Sequence, residues 1–194
     1  RSSIIKNAYF TSSQDGDIKK VLKNIKSNVN FAEMKQTHSS EVKIINSKGI
    51  YNSDGIETNT HDLPLVVRVA DCIPILMQSK NLISAVHAGW RGINNSIFEN
   101  SLKNHNFKSL KISIGPHAKE CCYEVKEDVS TDLYQYIDKR KGKDYLNMSQ
   151  SLRDLSKKFG FEIEVSSICT ICDSSYNSFR ENKTRKRQYG FIWK

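Results

Sequence analysis

Residues 65–88, LVVRVADCIPILMQSKNLISAVHA, contain three short apolar runs that decide the fold class. The runs Leu65–Ala70, Ile73–Gln78 and Leu82–His87 are rich in Val, Ile and Leu, and little charge interrupts them. Runs of this kind are typical of strands with both faces buried. The stretch therefore predicts three consecutive β-strands in the interior of the protein.

Helices and further strands are expected on both sides of this stretch. Apolar residues at helical spacing predict a helix over Asp17–Ser27, and Gly160 is a typical stop for a helix that precedes it. Because strands come in clusters with helices between them, the pattern favours a mixed α/β sandwich over a regular βαβ repeat. The other predicted helices cover 93–102, 126–137 and 149–159, and the other strands 31–35, 42–46, 110–114, 161–167 and 189–193.

Length and composition limit the organisation and the class of protein. The chain has 194 residues, the size of one ordinary domain, and we expect residues 1–194 to form a single domain. Hydrophobic residues make up 38%, enough for a core, but no apolar run approaches the ~20 residues that span a bilayer. The first residues lack the apolar stretch of a secretory signal. We therefore expect a cytoplasmic protein without a membrane partner.

The charge of the chain is basic. Lys and Arg number 30 against 21 Asp and Glu, a net charge of +9 that favours anionic partners such as phosphate or nucleic acid. The lysines are scattered, however, which is also what an AT-rich genome produces. Lys183–Arg187 is a dense basic run, but it lacks the interleaved aromatic residues of a nucleic-acid surface. A nucleic-acid partner is therefore disfavoured.

The cysteines do not form the pattern of a disulfide framework, because their number is odd and two are adjacent. Without a secretory signal, reduced thiols are expected. The CxxC motif at Cys169–Cys172 has no second CxxC or His pair beside it in the sequence, so it is weak evidence for a structural zinc site or a redox role. The five cysteines are Cys72, Cys121, Cys122, Cys169 and Cys172.

An acid and a thiol, Asp71 and Cys72, lie inside the apolar stretch. Burying a carboxylate costs several kcal/mol unless it is paired, so Asp71 needs a partner. Alone, the pair also fits a structural Asp bonded to backbone amides beside a small core Cys.

Three histidines, His38, His87 and His117, come at or near predicted strand ends. His87 precedes a Gly-Trp-Arg-Gly turn, where glycines allow close approach of backbone to a ligand and a following helix offers free amides to an anion. Taken singly, each of the three also fits a structural histidine.

Together these pieces resemble a known family. Their order is that of the YfiH family, also called the laccase-domain or multicopper polyphenol oxidase family, whose members are read as purine nucleoside phosphorylases and adenosine deaminases. The resemblance covers nearly the whole chain from about Tyr9. It is carried by Gln36-Thr37-His38, Asp54-Gly55, Ala70–Pro74, Val86–Gly92, Ile114–Pro116, Cys122–Val125, Cys169-Thr170, Ser178–Arg180 and Gly190–Trp193.

The resemblance implies a layered sandwich of mixed sheets flanked by helices, with metal ligands at His38, Cys72 and His87. Two imidazoles and a thiolate are good zinc ligands, and three protein ligands leave one position open. Water bound there can reach a pKa near ~7 and attack C6 of adenosine. Copper is disfavoured, because five histidines are too few for the several copper ions of a multicopper oxidase.

The resemblance also implies a purine nucleoside and phosphate as substrates, so that the enzyme is a transferase or a hydrolase. Asp71 and Asp54 are the candidate acid–base groups. Arg91 and Arg180 are candidates to hold phosphate, because Arg binds it with two prongs; Arg187 is a weaker one. Gln36 and His117 are further substrate-binding candidates. We expect a monomer.

Two features leave the substrate open. The segment Tyr9–Asp17 passes straight to the first helix, where relatives carry a longer region that helps to wall the pocket. The family is also similar in fold to cysteine-dependent toxin deamidases. A cysteine hydrolase acting on a peptidoglycan-precursor or protein amide, with Cys72 as nucleophile and His87 as base, is therefore the alternative.

Overall fold

The computed structural model describes residues 1–26, 30–126, 129 and 131–194. The α-helices are α1 Ile18–Lys26, α2 Trp90–Asn94, α3 Ile97–Leu102, α4 Met148–Phe159 and α5 Phe179–Asn182. The strands are β1 Ala8–Phe10, β2 Ala32–Met34, β3 Val42–Ile44, β4 Gly49–Tyr51, β5 Gly55–Thr58, β6 Leu65–Val69, β7 Ile73–Gln78, β8 Ile83–Ala88, β9 Lys111–Ile114, β10 Glu124–Val125, β11 Ile137–Arg140, β12 Lys143–Leu146, β13 Glu162–Val165 and β14 Gln188–Ile192. In the described part of the chain, no helix is both long and apolar enough to span a bilayer.

The strands form two larger mixed sheets and a small one. One has the order β1-β14-β6-β2-β4, the other β13-β9-β7-β8-β5-β3, and the small sheet β10-β12-β11. In the first, β6 pairs antiparallel with β14 and parallel with β2. In the second, β7 pairs antiparallel with both β8 and β9. β6 and β7 therefore belong to different sheets, although only the three residues Ala70–Cys72 lie between these strands in the chain.

The side chains of β6 and β7 show how the layers stack. Leu65, Val67 and Val69 share a buried cluster with Leu76 and Ala85 of the other sheet. Because side chains alternate along a strand, the intervening residues face the other way. Thus Val66 packs against α1, and the outer face of the six-stranded sheet packs against α3 and α4. The predicted layered α/β sandwich is confirmed.

The predicted strands of residues 65–88 are confirmed, with Ile73–Gln78 matching residue for residue. The helix predicted over 93–102 is two helices, α2 and α3, because Ser96 adopts a left-handed conformation with φ 65°. The helix predicted over Asp17–Ser27 is confirmed as α1, and Ser27 lies outside the described residues.

The helix predicted over 126–137 is wrong. Residues 127, 128 and 130 lie outside the described part, 131–136 form a 3-10 helix, and β11 and β12 follow as a hairpin. Its turn, Lys141-Gly142, has positive φ at both residues, which is the conformation of a tight hairpin turn. The sequence also missed the short strands β1, β4, β5 and β10, which have only two to four residues each.

Candidate active site

The three predicted metal ligands converge where strands of both larger sheets end. His38 follows β2, Cys72 precedes β7 and His87 lies near the end of β8. Their ligand atoms all lie within 4.8 Å of one another, and Cys72 Sγ is 3.7 Å from His38 Nε2. The two rings meet edge to face with centroids 4.8 Å apart. The arrangement fits one metal ion held by two imidazoles and a thiolate.

The buried carboxylate of Asp54 organises the loop that carries His38. It accepts hydrogen bonds from the backbone N–H groups of Thr37, His38 and Ser39 at 3.0, 3.0 and 2.7 Å. This holds His38 at φ 63°, a conformation that a non-glycine residue rarely adopts. Strained backbone at such a cluster is typical of a functional site, because the surroundings must enforce it.

Asp54 also orients the second imidazole. Its Oδ1 lies 2.7 Å from His87 Nδ1, which leaves the other ring nitrogen of His87 for the cluster. Burial raises the pKa of Asp54, but the hydrogen bonds from His87 and Ser39 outweigh it and hold the pKa well below its usual range. A carboxylate behind a ligating histidine is the usual support of a metal site, because it fixes the ring and its tautomer.

The thiol of Cys72 ionises readily in this setting. Burial raises its pKa, but the charge of His87 and the hydrogen bond with His38 lower it to about 6. Burial lowers the pKa of His87, yet the charge of Cys72 and the hydrogen bond to Asp54 raise it to about 9. Cys72 is therefore a thiolate near neutral pH, the form that binds a metal or attacks an electrophile.

Gly89 allows the cluster to be this tight. A Cβ atom at this position would lie 2.8 Å from His38 Cδ2 and 3.1 Å from Cys72 Sγ. These distances are shorter than van der Waals contact, so any side chain at position 89 would displace a predicted ligand.

The cluster opens onto a cavity of about 690 Å³ whose wall is strongly basic. Among its described lining residues, Asp71 carries the one carboxylate, so the potential favours an anion. Phe179, about half exposed, and Trp90 give the wall aromatic surface. The basic side chains of the wall are Lys35, Arg68, Arg91, Arg180, Arg185 and Arg187.

Aromatic rings hold two of the predicted arginines in place. The guanidinium of Arg91 lies over Trp90 and that of Arg180 over Tyr123, each 4.4 Å from the ring centroid. Arg180 Nη1 also donates to the backbone oxygen of Glu124 at 2.5 Å. Stacked guanidinium groups keep their in-plane N–H donors available to a planar or tetrahedral anion.

Asp71 has the partners that its burial requires. Its Oδ1 accepts from Thr170 Oγ1 at 2.9 Å, and its Oδ2 accepts from the backbone N–H of Arg180 at 2.7 Å. Asp71 lines the cavity and has φ 85°. It therefore ties the C-terminal segment to the loop that presents Cys72.

The other predicted residues have different positions. Gln36 lines the cavity, but both ends of its amide bond the backbone of Arg68, at 2.8 and 2.9 Å. Asp54 is fully buried and does not line the cavity, so it reaches a substrate only through His87. His117 also lies outside the lining, with Nδ1 bonded to the Gly115 carbonyl oxygen, and burial lowers its pKa to about 4.

Sequence reasoning gave no site role to several charged or aromatic residues of the wall, among them Arg68, Tyr123, Phe179 and Arg185. Arg68 carried a signal, because it is the one charge inside the apolar run of β6. Tyr123 is nearly buried beside Arg180, and burial raises its pKa to about 12, so its hydroxyl keeps its proton. No periodic pattern pointed to Phe179 or Arg185, because both lie in a largely irregular C-terminal segment.

Known proteins share both the sequence and the fold. The profile of the family described as multi-copper polyphenol oxidoreductase laccase matches residues 14–194. A purine nucleoside phosphorylase of Aquifex aeolicus is 33% identical over 138 residues, which are 69% of this chain and 67% of the relative. One of Clostridium acetobutylicum is 30% identical over 185 residues, 83% of this chain and 75% of the relative.

Two crystal structures have the same fold. The hypothetical protein YfiH of Bacillus licheniformis superposes with a TM-score of 0.84 at 22% identity, over 96% of this chain and 91% of that one. YlmD of Geobacillus stearothermophilus has a TM-score of 0.84 at 19% identity, over 100% and 94%. With the match over residues 14–194, the chain belongs to the multi-copper polyphenol oxidoreductase laccase family, the family that its motifs resemble.

Proposed function

We propose that this chain is a zinc-dependent purine nucleoside enzyme that cleaves nucleosides with phosphate and deaminates adenosine. The observation that carries the proposal is the juxtaposition of a three-ligand cluster with a basic, partly aromatic cavity. The relatives named purine nucleoside phosphorylase support it.

His38, Cys72 and His87 are the residues that would hold the metal. Zinc bound by three protein ligands keeps an open position and lowers the pKa of water bound there. Copper chemistry of the multicopper kind needs many more histidines, whereas only two of the five in this chain belong to the cluster.

In phosphorolysis, a phosphate oxygen forms a bond to C1′ of the ribose while the bond from C1′ to the purine nitrogen breaks. The electron pair of that bond leaves with the base, which takes up a proton. The chain must therefore hold a phosphate dianion and aim it at C1′, a task that suits Arg91 and Arg180. The faces of Trp90 and Phe179 offer surface for the base.

In deamination, a water oxygen bonds to C6 of adenosine and ammonia leaves, so a proton must move from the water to the leaving nitrogen. Asp71 is the candidate acid–base group, because its carboxylate lies in the cavity wall. Asp54 would act through His87, whose ring it holds.

The direct test is chromatography of adenosine incubated with the protein, with and without phosphate. We expect inosine in both conditions, and free base only with phosphate. Arg180→Ala should raise the KM for phosphate about tenfold or more, as expected for loss of a charged hydrogen bond. The matched control is Arg153→Ala, on the exposed side of α4. Unchanged phosphate kinetics in Arg180→Ala would remove that residue from the phosphate site.

The alternative is a cysteine hydrolase, favoured by the sequence of contacts from Cys72 to His87 and from His87 to Asp54. The Cys72 thiolate would bond to an amide carbon while the carbon–nitrogen bond breaks, and His87 would give its proton to the leaving amine. Water would then hydrolyse the thioester, release the acid and restore the Cys72 thiol. Metal-free protein that hydrolyses an amide and does not change nucleosides would establish this reading. A stoichiometric metal lost in Cys72→Ser would exclude it.

A further inference from the structure

Four cysteines form a second cluster of possible metal ligands, outside the wall of the cavity. Two come from the loop after β9 and two from the turn after β13, about 50 residues further along the chain. Their sulfur atoms all lie within 4.8 Å of one another. Cys172 Sγ is 2.9 Å from that of Cys122 and 3.5 Å from that of Cys121. The members are Cys121, Cys122, Cys169 and Cys172, here called the thiol cluster.

We propose that the thiol cluster binds one zinc ion in a closed, structural site that is separate from the His38–Cys72–His87 centre. Four thiolates complete the tetrahedral shell of zinc and leave no open position for chemistry. A Zn–S distance of ~2.3 Å places the sulfurs of a tetrahedral site ~3.8 Å apart. Here two pairs of sulfurs are 2.9 and 3.5 Å apart and all four lie within 4.8 Å of one another, so small shifts would bring them to that spacing. The sequence alone showed only one CxxC pair; the fold supplies Cys121 and Cys122 as the other half.

The backbone around Cys169 supports a thiolate ligand. The N–H of Lys119 donates to Cys169 Sγ at 3.4 Å, and the backbone N–H groups of Ile171 and Cys172 also bond this sulfur. The turn is closed by the N–H of Asp173, which bonds the Cys169 carbonyl oxygen at 3.1 Å. Amide hydrogen bonds to sulfur are the outer contacts that orient and stabilise thiolate ligands in metal sites.

Nearby charge suits an anionic site. Four thiolates around a divalent ion carry a net charge of −2. Lys119 interacts electrostatically with Cys169 and Cys121. This cation offsets part of that charge.

The site would fix one wall of the cavity. Thr170, next to Cys169, donates to Asp71, and Tyr123, next to Cys122, lies under Arg180. Between β13 and β14, the described chain has one α-helix, the four-residue α5. A metal that joins this segment to the loop after β9 would supply cohesion that regular secondary structure does not provide.

The test is zinc content per chain in full-length protein kept reduced and freed of loose metal. We expect two zinc ions in the native chain, one in Cys172→Ser, one in Cys72→Ser and none in the double variant. One zinc in the native chain that Cys172→Ser leaves in place would overturn the proposal. Cys72→Ser tests the proposed function instead: if this variant keeps both zinc ions, the His38–Cys72–His87 centre fails while the thiol cluster stands. The two proposals can therefore fail separately.

A second measurement avoids the risk that Cys172→Ser fails to fold. Cobalt(II) loaded into Cys72→Ser, which keeps the thiol cluster intact, should show the intense sulfur-to-cobalt charge-transfer and tetrahedral d–d bands of four thiolates. Absence of these bands would overturn the proposal. The proposal would also be overturned if protein kept under reducing conditions had an intact mass two hydrogens below that of the chain with free thiols. Such a mass would mean a Cys122–Cys172 disulfide, which removes two of the four ligands.

Discussion

Two buried histidine–carboxylate pairs use a carboxylate of β5 or of the residue before it; one histidine lies in β8 and the other in the turn after α3, and burial affects their charges differently. His87 Nδ1 lies 2.7 Å from Asp54 Oδ1, at the cavity. His105 Nε2 lies 3.9 Å from Glu57 Oε1, inside the protein. Ser84 Oγ sits between the second pair, 2.6 Å from His105 and 3.3 Å from Glu57.

The difference comes from the number of donors that each carboxylate receives. Asp54 has three backbone N–H groups and the Ser39 hydroxyl besides His87, so it stays ionised although it is buried. Glu57 has Asn104 and Ser84, and burial raises its pKa. Burial also lowers the pKa of His105 to about 4. A histidine and a carboxylate therefore form a charged pair where donors converge, whereas burial disfavours the charged form of both groups where fewer donors reach the carboxylate.

The largest effect is expected where the charged pair meets the cluster. His87→Ala should remove the metal of the centre and lower turnover by at least about a hundredfold, because one of three ligands is lost. Metal analysis and turnover of adenosine measure this together. His105→Gln is the matched control and should keep both. Full activity in His87→Ala would show that the cluster is not the active centre.

A smaller effect is expected from the carboxylates. Asp54→Asn should lower metal affinity or turnover about 10- to 100-fold, because the amide no longer holds His87 as a charged acceptor. Glu57→Gln, at the pair away from the cavity, should change neither by more than about twofold. Equal losses in the two variants would mean that Asp54 has only a structural role, since both carboxylates are buried in the same region.

The smallest effect concerns stability alone. The folded chain holds His105 neutral down to about pH 4, whereas the ordinary pKa of a histidine is 6.5. Between these two pH values the unfolded chain therefore binds more protons than the folded chain. The contribution of His105 to the free energy of unfolding is therefore greatest above pH 6.5 and decreases as the pH falls. At pH 5 it is smaller by about 2 kcal/mol. Glu57, with its raised pKa, acts in the opposite direction.

Denaturant unfolding of the native chain and of His105→Gln at pH 7 and pH 5 isolates the histidine. The native chain should lose more stability between the two pH values than the variant does. Equal losses would mean that folding does not lower the pKa of His105.

The apolar runs of residues 65–88 predicted the strands well, because a buried strand needs continuous apolar residues whatever surrounds it. Short edge strands such as β4 could not be predicted, since pairing with β2 and not their own composition makes them strands. Likewise, the helix predicted over 126–137 was wrong, because 131–136 form a 3-10 helix and the following hairpin is held by pairing with β10, a contact that local spacing does not encode.

The sequence by itself determined the apolar layers, the family and the candidate metal ligands, because these depend on local pattern and on motifs contiguous in the chain. Only the tertiary structure decided which groups meet. It placed Asp54 behind His87, joined Asp71 to Arg180, and brought Cys121 and Cys122 to the CxxC turn. Such contacts link residues 33 to 109 positions apart, and their geometry follows from sheet pairing and layer packing, which no local spacing encodes.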